Sequence, residues 1–288
     1  MAIQFKWLAS ACALTLLPLS GCTTSPTPPA GLAQPVAAQT ATYTSFDGQS
    51  ISYTRLGNGP VVLMLHGFTA NAKLNWFDSG IAQQIAAAGY TVIAPDTRGH
   101  GASQVPDSPK SWPRDAAARD QIALVKYLGE KPHAVVGYSM GSLTAIRYHL
   151  LTRDGGRLLL GGVGDSAADE WNTDRSGAFQ AALDAAIGGS DAPGALAFAD
   201  RAKASGSTLE GYRGALTSRK YTGADLLETF DIPVLVVTGD QDTDNGTGSA
   251  LADIIPDANY TQIKGTHGSA VTDPAFPDVI ISFLNEGR

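Results

Sequence analysis

A serine that stands between two glycines is the feature of this sequence most able to do chemistry. The stretch HAVVGYSMGSLTAI runs from His133 to Ile146 and contains the pattern G-x-S-x-G, with Ser139 at its centre. An apolar run typical of a buried strand precedes the pattern, and apolar side chains at helical spacing follow it. A sharp turn from strand to helix strains the serine backbone and exposes its hydroxyl, while the flanking glycines let strand and helix approach closely. The pattern therefore predicts that Ser139 is a nucleophile.

Groups that could activate such a serine occur elsewhere in the chain. The sequence contains five histidines, namely His66, His100, His133, His149 and His267. The stretch VLVVTGDQDTDNG offers carboxylates where an apolar run ends: Asp240, Asp242 and Asp244. Such a cluster could orient a histidine, form a solvated turn or bind calcium, but it lacks the twelve-residue spacing and final glutamate of a calcium loop. An alcohol, an imidazole and a carboxylate are thus available for nucleophilic catalysis.

Short apolar runs separated by helical patterns predict the scaffold that must position these groups. The runs are Val61–Leu65, Tyr90–Ala94, Ala134–Val136, Leu158–Val163, Val234–Val237 and, more weakly, Tyr260–Ile263. Strands that are apolar at every position are buried on both faces, and their alternation with helices predicts a parallel sheet. Before them, Thr42–Phe46 and Ser50–Arg55 flank Asp47-Gly48, which indicates a hairpin. The sequence predicts an α/β fold with a mostly parallel, doubly wound sheet that opens with an antiparallel hairpin.

The segment from residue 166 to residue 230 breaks this alternation. It is an alanine-rich helical pattern interrupted at Gly188-Gly189, Pro193-Gly194 and Gly206. Its aromatic side chains could anchor a packed structure rather than a disordered insertion: Trp171, Phe179, Phe198, Tyr212 and Tyr221. We therefore expect a small helical cap between two strands of the sheet.

The first residues have the layout of a secretory signal. Lys6 is the single charge before an apolar run from Trp7 to Leu19, which is too short for a typical membrane span. The run ends in Leu19-Ser20-Gly21-Cys22, which resembles the lipobox of bacterial lipoproteins. That resemblance implies cleavage before Cys22 and lipid on its sulfur and new amino group, in place of ordinary secretion. In a host with two membranes, Thr23 after the cysteine would, by the sorting rule of those lipoproteins, favour the outer membrane, facing the periplasm.

The composition of the chain indicates an unfolded tether and excludes several kinds of partner and site. Residues 23 to 41 read TTSPTPPAGLAQPVAAQTA, an uncharged, proline-rich tether that cannot bury enough apolar surface to fold. The sequence thus divides into a signal peptide at 1–21, a lipidated tether at 22–41 and a folded domain at 42–288. The net charge of −7 argues against nucleic acid or an anionic membrane surface as a partner. Cys12 and Cys22 are the only cysteines, so the folded part has no disulfide or cysteine metal site, and we expect neither a cofactor nor a metal.

Four stretches together resemble the α/β-hydrolase family, over a region from about Thr42 to the C-terminus. They are LHGF at 65–68, DTRGHG at 96–101, the turn around Ser139, and the pair of late loops around Asp242 and His267. Each stretch is common alone, but their order and spacing are specific together. The resemblance implies an α/β-hydrolase fold with a small helical cap.

The resemblance also implies which histidine and which aspartate activate the serine. The family keeps its base in the loop after the last strand, which here holds His267, although many members have glycine where this chain has Thr266. The family pattern G-x-x-D points from Gly239 to Asp242 as the acid that orients the imidazole, with Asp240 as the alternative. The chain order is that of this family: Ser139, Asp242, His267.

An oxyanion hole would complete such a site. Tetrahedral intermediates place negative charge on one oxygen, which backbone N–H groups can stabilise. The resemblance assigns these donors to Met140, directly after the nucleophile, and to Phe68, directly after His66-Gly67. His66 would then shape this loop, and His100, in an Arg-Gly-His-Gly turn, is expected to make a structural hydrogen bond.

The remaining candidates are assigned no chemistry. His133 opens a strand, and His149 lies ten residues along a helix from Ser139, too far to reach its hydroxyl. Asp96 is expected to be architectural. Relatives that open epoxides or displace halide carry aspartate at the position of Ser139, so this departure argues against those activities.

These expectations add up to a serine hydrolase that cleaves a small carboxylic ester and is held at a bacterial cell envelope by lipid on Cys22. The same residues could act on a lactone, a thioester, an amide or a carbon–carbon bond. A third interpretation is a binding protein of the envelope that keeps the fold without turnover.

Overall fold

The computed structural model describes residues 37–169, 173–219 and 222–287, with backbone alone for 173–176. The strands are β1 (Gln39–Thr44), β2 (Ser50–Gly57), β3 (Val61–Leu65), β4 (Thr91–Pro95), β5 (Ala134–Tyr138), β6 (Leu158–Gly161), β7 (Val234–Gly239) and β8 (Asn259–Ile263). The α-helices are α1 (Ile81–Ala87), α2 (Ala116–Leu128), α3 (Met140–Thr152), α4 (Thr173–Ile187), α5 (Pro193–Ser205), α6 (Leu209–Ser218), α7 (Ala224–Leu227), α8 (Gly248–Ile254) and α9 (Phe276–Asn285). Cys22 and the signal predicted before it lie outside the described residues.

All these strands join one sheet in the order β1-β2-β4-β3-β5-β6-β7-β8. The β1–β2 and β2–β4 pairs are antiparallel, and every later pair is parallel. The predicted fold class is confirmed: an opening hairpin is followed by a parallel sheet with helices on both sides. Within the described part of the chain, no helix combines the length and apolar content needed to cross a bilayer.

Alternate residues of each central strand enter different cores, which is why these strands are apolar throughout. In β3, Leu63 packs in the core that holds side chains of α2, α3 and α8, whereas Val62 and Met64 pack in the core that holds those of α1 and α9. Both strand faces are therefore covered, as the continuous apolar runs predict. Burial of each such side chain stabilises the fold by about 1.5–3 kcal/mol.

Two strands begin or end at residues other than those predicted, because backbone hydrogen bonding and not hydrophobicity sets these ends. β1 begins at Gln39, ahead of the predicted Thr42, because Gln39 to Ala41 pair with β2 although their side chains are exposed. β6 ends at Gly161, short of the predicted Val163. Gly162 has φ of 64°, and this left-handed conformation takes the chain out of the sheet.

The helices between β6 and β7 form the cap. Its small core consists of Leu183, Phe198, Ala202 and Tyr212, and the ring of Phe68 packs against it from the loop after β3. Backbone contacts hold α6 on the sheet domain: a Cβ on Gly211 would overlap the backbone of Gly99, and a Cβ on Gly214 would overlap the ring of Trp112. Of the predicted aromatic anchors, Trp171 and Tyr221 lie outside the described residues.

Candidate active site

Ser139 occupies a strained turn at the junction of β5 and α3. Its φ of 52° and ψ of −114° lie in a region that residues with a side chain seldom adopt. A Cβ on Gly137 would lie 2.5 Å from the carbonyl carbon of Gly141, and a Cβ on Gly141 would overlap the carbonyl oxygen of Leu65. The two glycines are required because strand and helix cross at backbone contact, as the G-x-S-x-G pattern predicts.

The structure brings Ser139, His267 and Asp242 into one hydrogen-bonded chain. His267 Nε2 lies 3.0 Å from Ser139 Oγ, and His267 Nδ1 lies 3.0 Å from Asp242 Oδ2. A carboxylate accepts only, so Nδ1 carries the proton and Nε2 is left to accept from the serine hydroxyl. The Asp242 side chain is 3% exposed and that of His267 is 21% exposed, so the carboxylate is shielded while the imidazole faces the cavity.

Asp240 occupies a different place from Asp242. Its carboxylate accepts from Lys264 Nζ at 2.8 Å and from the backbone N–H of Gly265 at 2.9 Å. The hydrogen bond from Lys264 lowers the pKa of Asp240. Asp240 therefore ties the end of β7 to the loop that carries His267, and it is Asp242 that contacts the imidazole.

The loop after β3 presents the backbone of Phe68 to the cavity that contains Ser139. Among the described residues, neither the Phe68 N–H nor the Met140 N–H donates a hydrogen bond within the protein. Phe68 lines the cavity, and Met140 directly follows Ser139 at the start of α3. The preceding N–H, that of Gly67, is already bound to Asn75 Oδ1 at 2.7 Å. The oxyanion hole that the family resemblance assigns to Phe68 and Met140 stays a prediction.

His66 has the structural place that the sequence suggested. Its Nε2 accepts from the backbone N–H of Thr97 at 2.9 Å, so its Nδ1 donates to the carbonyl of Gly67 at 2.8 Å. Burial lowers the pKa of His66, which keeps the ring neutral and this tautomer fixed. The ring joins the loops after β3 and β4 and so supports the peptide between Gly67 and Phe68.

The other charged candidates lie away from the Ser139 hydroxyl. Asp96 accepts from the backbone N–H groups of Ala72 and Ala102, at 2.9 Å each, which supports an architectural role. His100 is fully buried against Phe68 and Tyr212, and burial lowers its pKa to about 3. The rings of the remaining histidines bind backbone carbonyls elsewhere: His133 to Leu284 and His149 to Asp154.

Sequence reasoning missed two residues near His267, and one of them, Tyr138, positions its loop. The Tyr138 hydroxyl donates to the carbonyl of His267 at 2.6 Å, and Asn245 Nδ2 donates to the carbonyl of Gly162 at 2.7 Å while lying 3.5 Å from His267 Nδ1. Tyr138 is a variable position of the G-x-S-x-G pattern, and Asn245 follows the aspartate cluster. Neither position carries a sequence signal that would mark it.

Ligand atoms of Asp242, Asp244 and His267 lie within 4.8 Å of one another, close enough for a cation to bridge. The hydrogen bond between Asp242 and His267 already accounts for the approach of two of them.

A cavity of about 420 Å³ lies over Ser139, within the size range of small-molecule sites. Its apolar lining includes Phe68, Phe179, Leu216 and Val271. The charged or titratable residues among its described lining are Tyr138, Arg201, Arg219, Asp244 and His267. The arrangement can accept a small molecule with a carbonyl placed at the serine and an apolar portion under the cap.

Comparison with known proteins gives matches at three levels. Residues 60–155 match a family model described as the alpha/beta hydrolase fold. The chain is 30% identical over 284 residues to the non-heme chloroperoxidase CPO-A1 of Kitasatospora aureofaciens, covering 84% of this chain and 98% of that protein. A shorter match, 32% identical over 110 residues, covers 38% of this chain and 34% of epoxide hydrolase 2 of Siraitia grosvenorii. The chain thus spans about a third of the length of that relative.

A solved structure is similar along nearly its whole length. The esterase RhEst1 from Rhodococcus sp. ECU1013 superposes with a TM-score of 0.64 at 26% identity, covering 86% of this chain and 98% of that one. The region matched therefore extends well beyond the segment covered by the family model.

Proposed function

Because this chain belongs to the α/β-hydrolase superfamily, we propose that it is a serine hydrolase that cleaves a carboxylic ester through an acyl-enzyme. One observation carries the proposal: the two 3.0 Å hydrogen bonds that link Ser139, His267 and Asp242 at the floor of the cavity. Nucleophile, base and orienting acid are in contact, which is the arrangement that serine hydrolysis needs.

In the first half of the reaction, Ser139 Oγ attacks the ester carbonyl while His267 Nε2 accepts the hydroxyl proton. Negative charge that forms on the carbonyl oxygen is stabilised by the N–H groups of Phe68 and Met140, each worth about 3 kcal/mol of barrier. Asp242 holds the imidazole and stabilises its cation. The bond to the alcohol oxygen then breaks, and His267 gives its proton to the leaving alcohol.

In the second half, water replaces the alcohol. His267 removes a proton from water, the hydroxide oxygen bonds to the acyl carbon, and the bond to Ser139 Oγ breaks as the serine regains a proton from the imidazole. The products are a carboxylic acid, an alcohol and the original enzyme. No step changes an oxidation state, so the cycle as proposed needs no redox partner.

The relatives include an epoxide hydrolase and a chloroperoxidase, and Ser139 argues against the first of these two activities. The family resemblance associates epoxide opening and halide displacement with an aspartate at this position, so an ester substrate suits the serine better. A lactone, a thioester, an amide or a carbon–carbon bond remains open to the same three residues. A panel of these substrates with one protein preparation would rank them.

The test is hydrolysis of a short 4-nitrophenyl ester together with labelling by a fluorophosphonate probe. Wild type should hydrolyse the ester and take up the probe, and Ser139→Ala should lose about 10⁴-fold or more in rate and all labelling. Ser108→Ala, an exposed serine outside the cavity, serves as the matched control and should behave as wild type. A Ser139→Ala protein that retains the wild-type rate would overturn the proposal, and a wild-type protein silent to the probe would favour a binding protein.

We also propose that the enzyme is anchored by lipid on Cys22 in the outer membrane of a bacterial envelope, facing the periplasm. The support is the sequence Leu19-Ser20-Gly21-Cys22 after an apolar run, followed by Thr23 and an uncharged tether. In the native host, Cys22→Ala should move the protein from the outer-membrane fraction to the soluble fraction. Cys12→Ala, inside the predicted signal, should leave the distribution unchanged.

A further inference from the structure

We propose that the cavity selects esters that carry a second, free carboxylate, such as half-esters of dicarboxylic acids. This proposal rests on the proposed function, since it names the substrate class of the same site. Two arginines of the cap region carry it: Arg201 on α5 and Arg219 directly after α6 both line the cavity over Ser139.

The charge of this lining is opposite to that of the chain as a whole. The chain has a formal net charge of −7, whereas the described residues of the cavity lining include two arginines and one acidic side chain, Asp244 on the loop after β7. Long-range electrostatics would therefore disfavour an anionic substrate, so a preference for one must arise inside the cavity. Guanidinium groups at that site supply fixed donors matched to a planar carboxylate.

Arg201 differs from the arginines that stabilise the fold. Arg55, Arg98 and Arg147 each form a salt bridge with a carboxylate of the protein. Across the described residues, Arg201 has no such partner, and its side chain is exposed on the cap. Its charge is close enough to Tyr212 to oppose the rise in the pKa of that hydroxyl that burial causes. Arg201 is thus placed beside the cavity with its charge available to a ligand.

Arg219 places a second positive charge near the reacting end. Its guanidinium carbon lies 6.0 Å from the centroid of the Phe68 ring, and Phe68 supplies one of the proposed oxyanion donors. The same lining includes the apolar side chains of Phe68, Phe179 and Leu216. A substrate that fits has an ester carbonyl at Ser139, a short aliphatic chain under the cap and a carboxylate at the arginines.

The experiment compares two substrates that differ only at one end. 4-Nitrophenyl hydrogen adipate carries a carboxylate where 4-nitrophenyl hexanoate carries a methyl group. Wild type should have a higher kcat/KM for the adipate half-ester, and Arg201→Gln should lower the adipate-to-hexanoate ratio about tenfold, mainly through KM. Arg213→Gln is the matched control, because Arg213 is an exposed arginine of α6 that does not line the cavity, and its ratio should equal that of wild type.

Each other outcome has a defined meaning. A ratio that Arg201→Gln leaves unchanged, or that Arg213→Gln lowers equally, would overturn the carboxylate proposal while leaving ester hydrolysis intact. Failure of wild type to cleave either ester, or equal rates for wild type and Ser139→Ala, would instead overturn the proposed function. Calorimetry with inactive Ser139→Ala gives an independent readout: monomethyl adipate should bind more tightly than methyl hexanoate, and adding Arg201→Gln should remove the difference.

Discussion

On the sheet side of the cavity, the chain around Ser139 is fixed by backbone contacts that leave no space for a side chain at Gly137 or Gly141. On the cap side, the wall is built around a small side-chain core that includes Phe198 and Tyr212, and its tight glycine contacts are those of α6 with the sheet domain. A Cβ at Gly177 of the cap, by contrast, would have open space around it. Steric exclusion by backbone cannot be relieved by small adjustments, whereas side-chain cores accept substitutions of similar volume.

The sheet side and the cap side of the cavity therefore contribute differently to the proposed function. The sheet brings Ser139, Asp242 and His267 together from the carboxyl ends of separate strands, where parallel pairing fixes their spacing. The cap supplies Arg201 and, with Phe179 and Leu216, part of the apolar lining. Changes on the sheet side should therefore affect kcat and folding, while changes in the cap should affect which substrate binds.

The largest effect is expected at Asp242. Asp242→Asn keeps the shape of the side chain but removes the charge that stabilises the imidazolium, and its amide can stabilise the wrong histidine tautomer. We expect kcat/KM for a 4-nitrophenyl ester to fall about 10⁴-fold, with folding unchanged by circular dichroism.

Asp240→Asn is the control for this change, because Asp240 contacts Lys264 and Gly265 rather than His267. It should cost less than about tenfold, since the charge it removes stabilises no reacting group. If Asp240→Asn were the more damaging variant, the assignment of the acid would be reversed.

Matched glycine substitutions compare the two walls directly. Gly141→Ala on α3 places a methyl group against the backbone of Leu65, and we expect it to lower the free energy of unfolding by about 3 kcal/mol. Gly177→Ala on α4 meets open space and should raise it by up to about 1 kcal/mol. Urea denaturation of both variants measures the difference, and equal effects would show that the sheet wall is no more constrained than the cap.

The strands and the turn at Ser139 could be predicted from the sequence because their packing allows only certain residue types. Strands buried on both faces must be apolar throughout, and a strand that meets a helix at backbone contact must have glycine, as Gly137 and Gly141 show. Asp242 and Asp240 remained alternatives, because both stand at the end of β7 and the choice depends on the path of the loop that carries His267. A contact between distant loops leaves no local pattern.

The cap was predictable only as a set of helices. Alanine-rich spacing indicates helices, but the direction in which each helix packs depends on weak and distributed contacts. Arginine on an exposed helix face is common, so nothing in the sequence marks Arg201 and Arg219 as cavity residues. Tyr138 and Asn245 were missed for a related reason, since each donates a hydrogen bond to the backbone of a distant residue.

His100 lies where the two walls meet, and it should make folding sensitive to acid. Burial lowers its pKa to about 3, whereas an unfolded chain binds a proton on histidine below about pH 6.5. The unfolded state therefore binds more protons between these values, and stability is lost as the pH falls from about 6.5 towards 3. We expect about 1.4 kcal/mol per pH unit from this residue, or about 2 kcal/mol between pH 6.5 and pH 5.

Urea denaturation of wild type and His100→Gln across this pH range isolates the effect. The variant can be less stable at every pH, because the contacts with Phe68 and Tyr212 change. The informative quantity is the slope of the free energy of unfolding against pH. This slope should be shallower in the variant, because unfolding of the variant takes up about one proton fewer. Parallel curves would show that His100 does not make the contact between the walls acid-sensitive.

The smallest effect is expected at Tyr138, which tests whether the sheet wall also positions the base. Tyr138→Phe removes the hydroxyl that donates to the carbonyl of His267 and keeps the ring that packs near it. One hydrogen bond of about 1 kcal/mol should correspond to a roughly fivefold fall in kcat, with KM unchanged because the hydroxyl is committed to the loop. Tyr260→Phe, whose hydroxyl pairs with Thr238 between β7 and β8, is the matched loss of a tyrosine hydroxyl and should leave kcat unchanged. A rise in KM without a fall in kcat would place Tyr138 with the substrate-binding wall instead, since a positioning residue acts on the reacting imidazole and not on affinity.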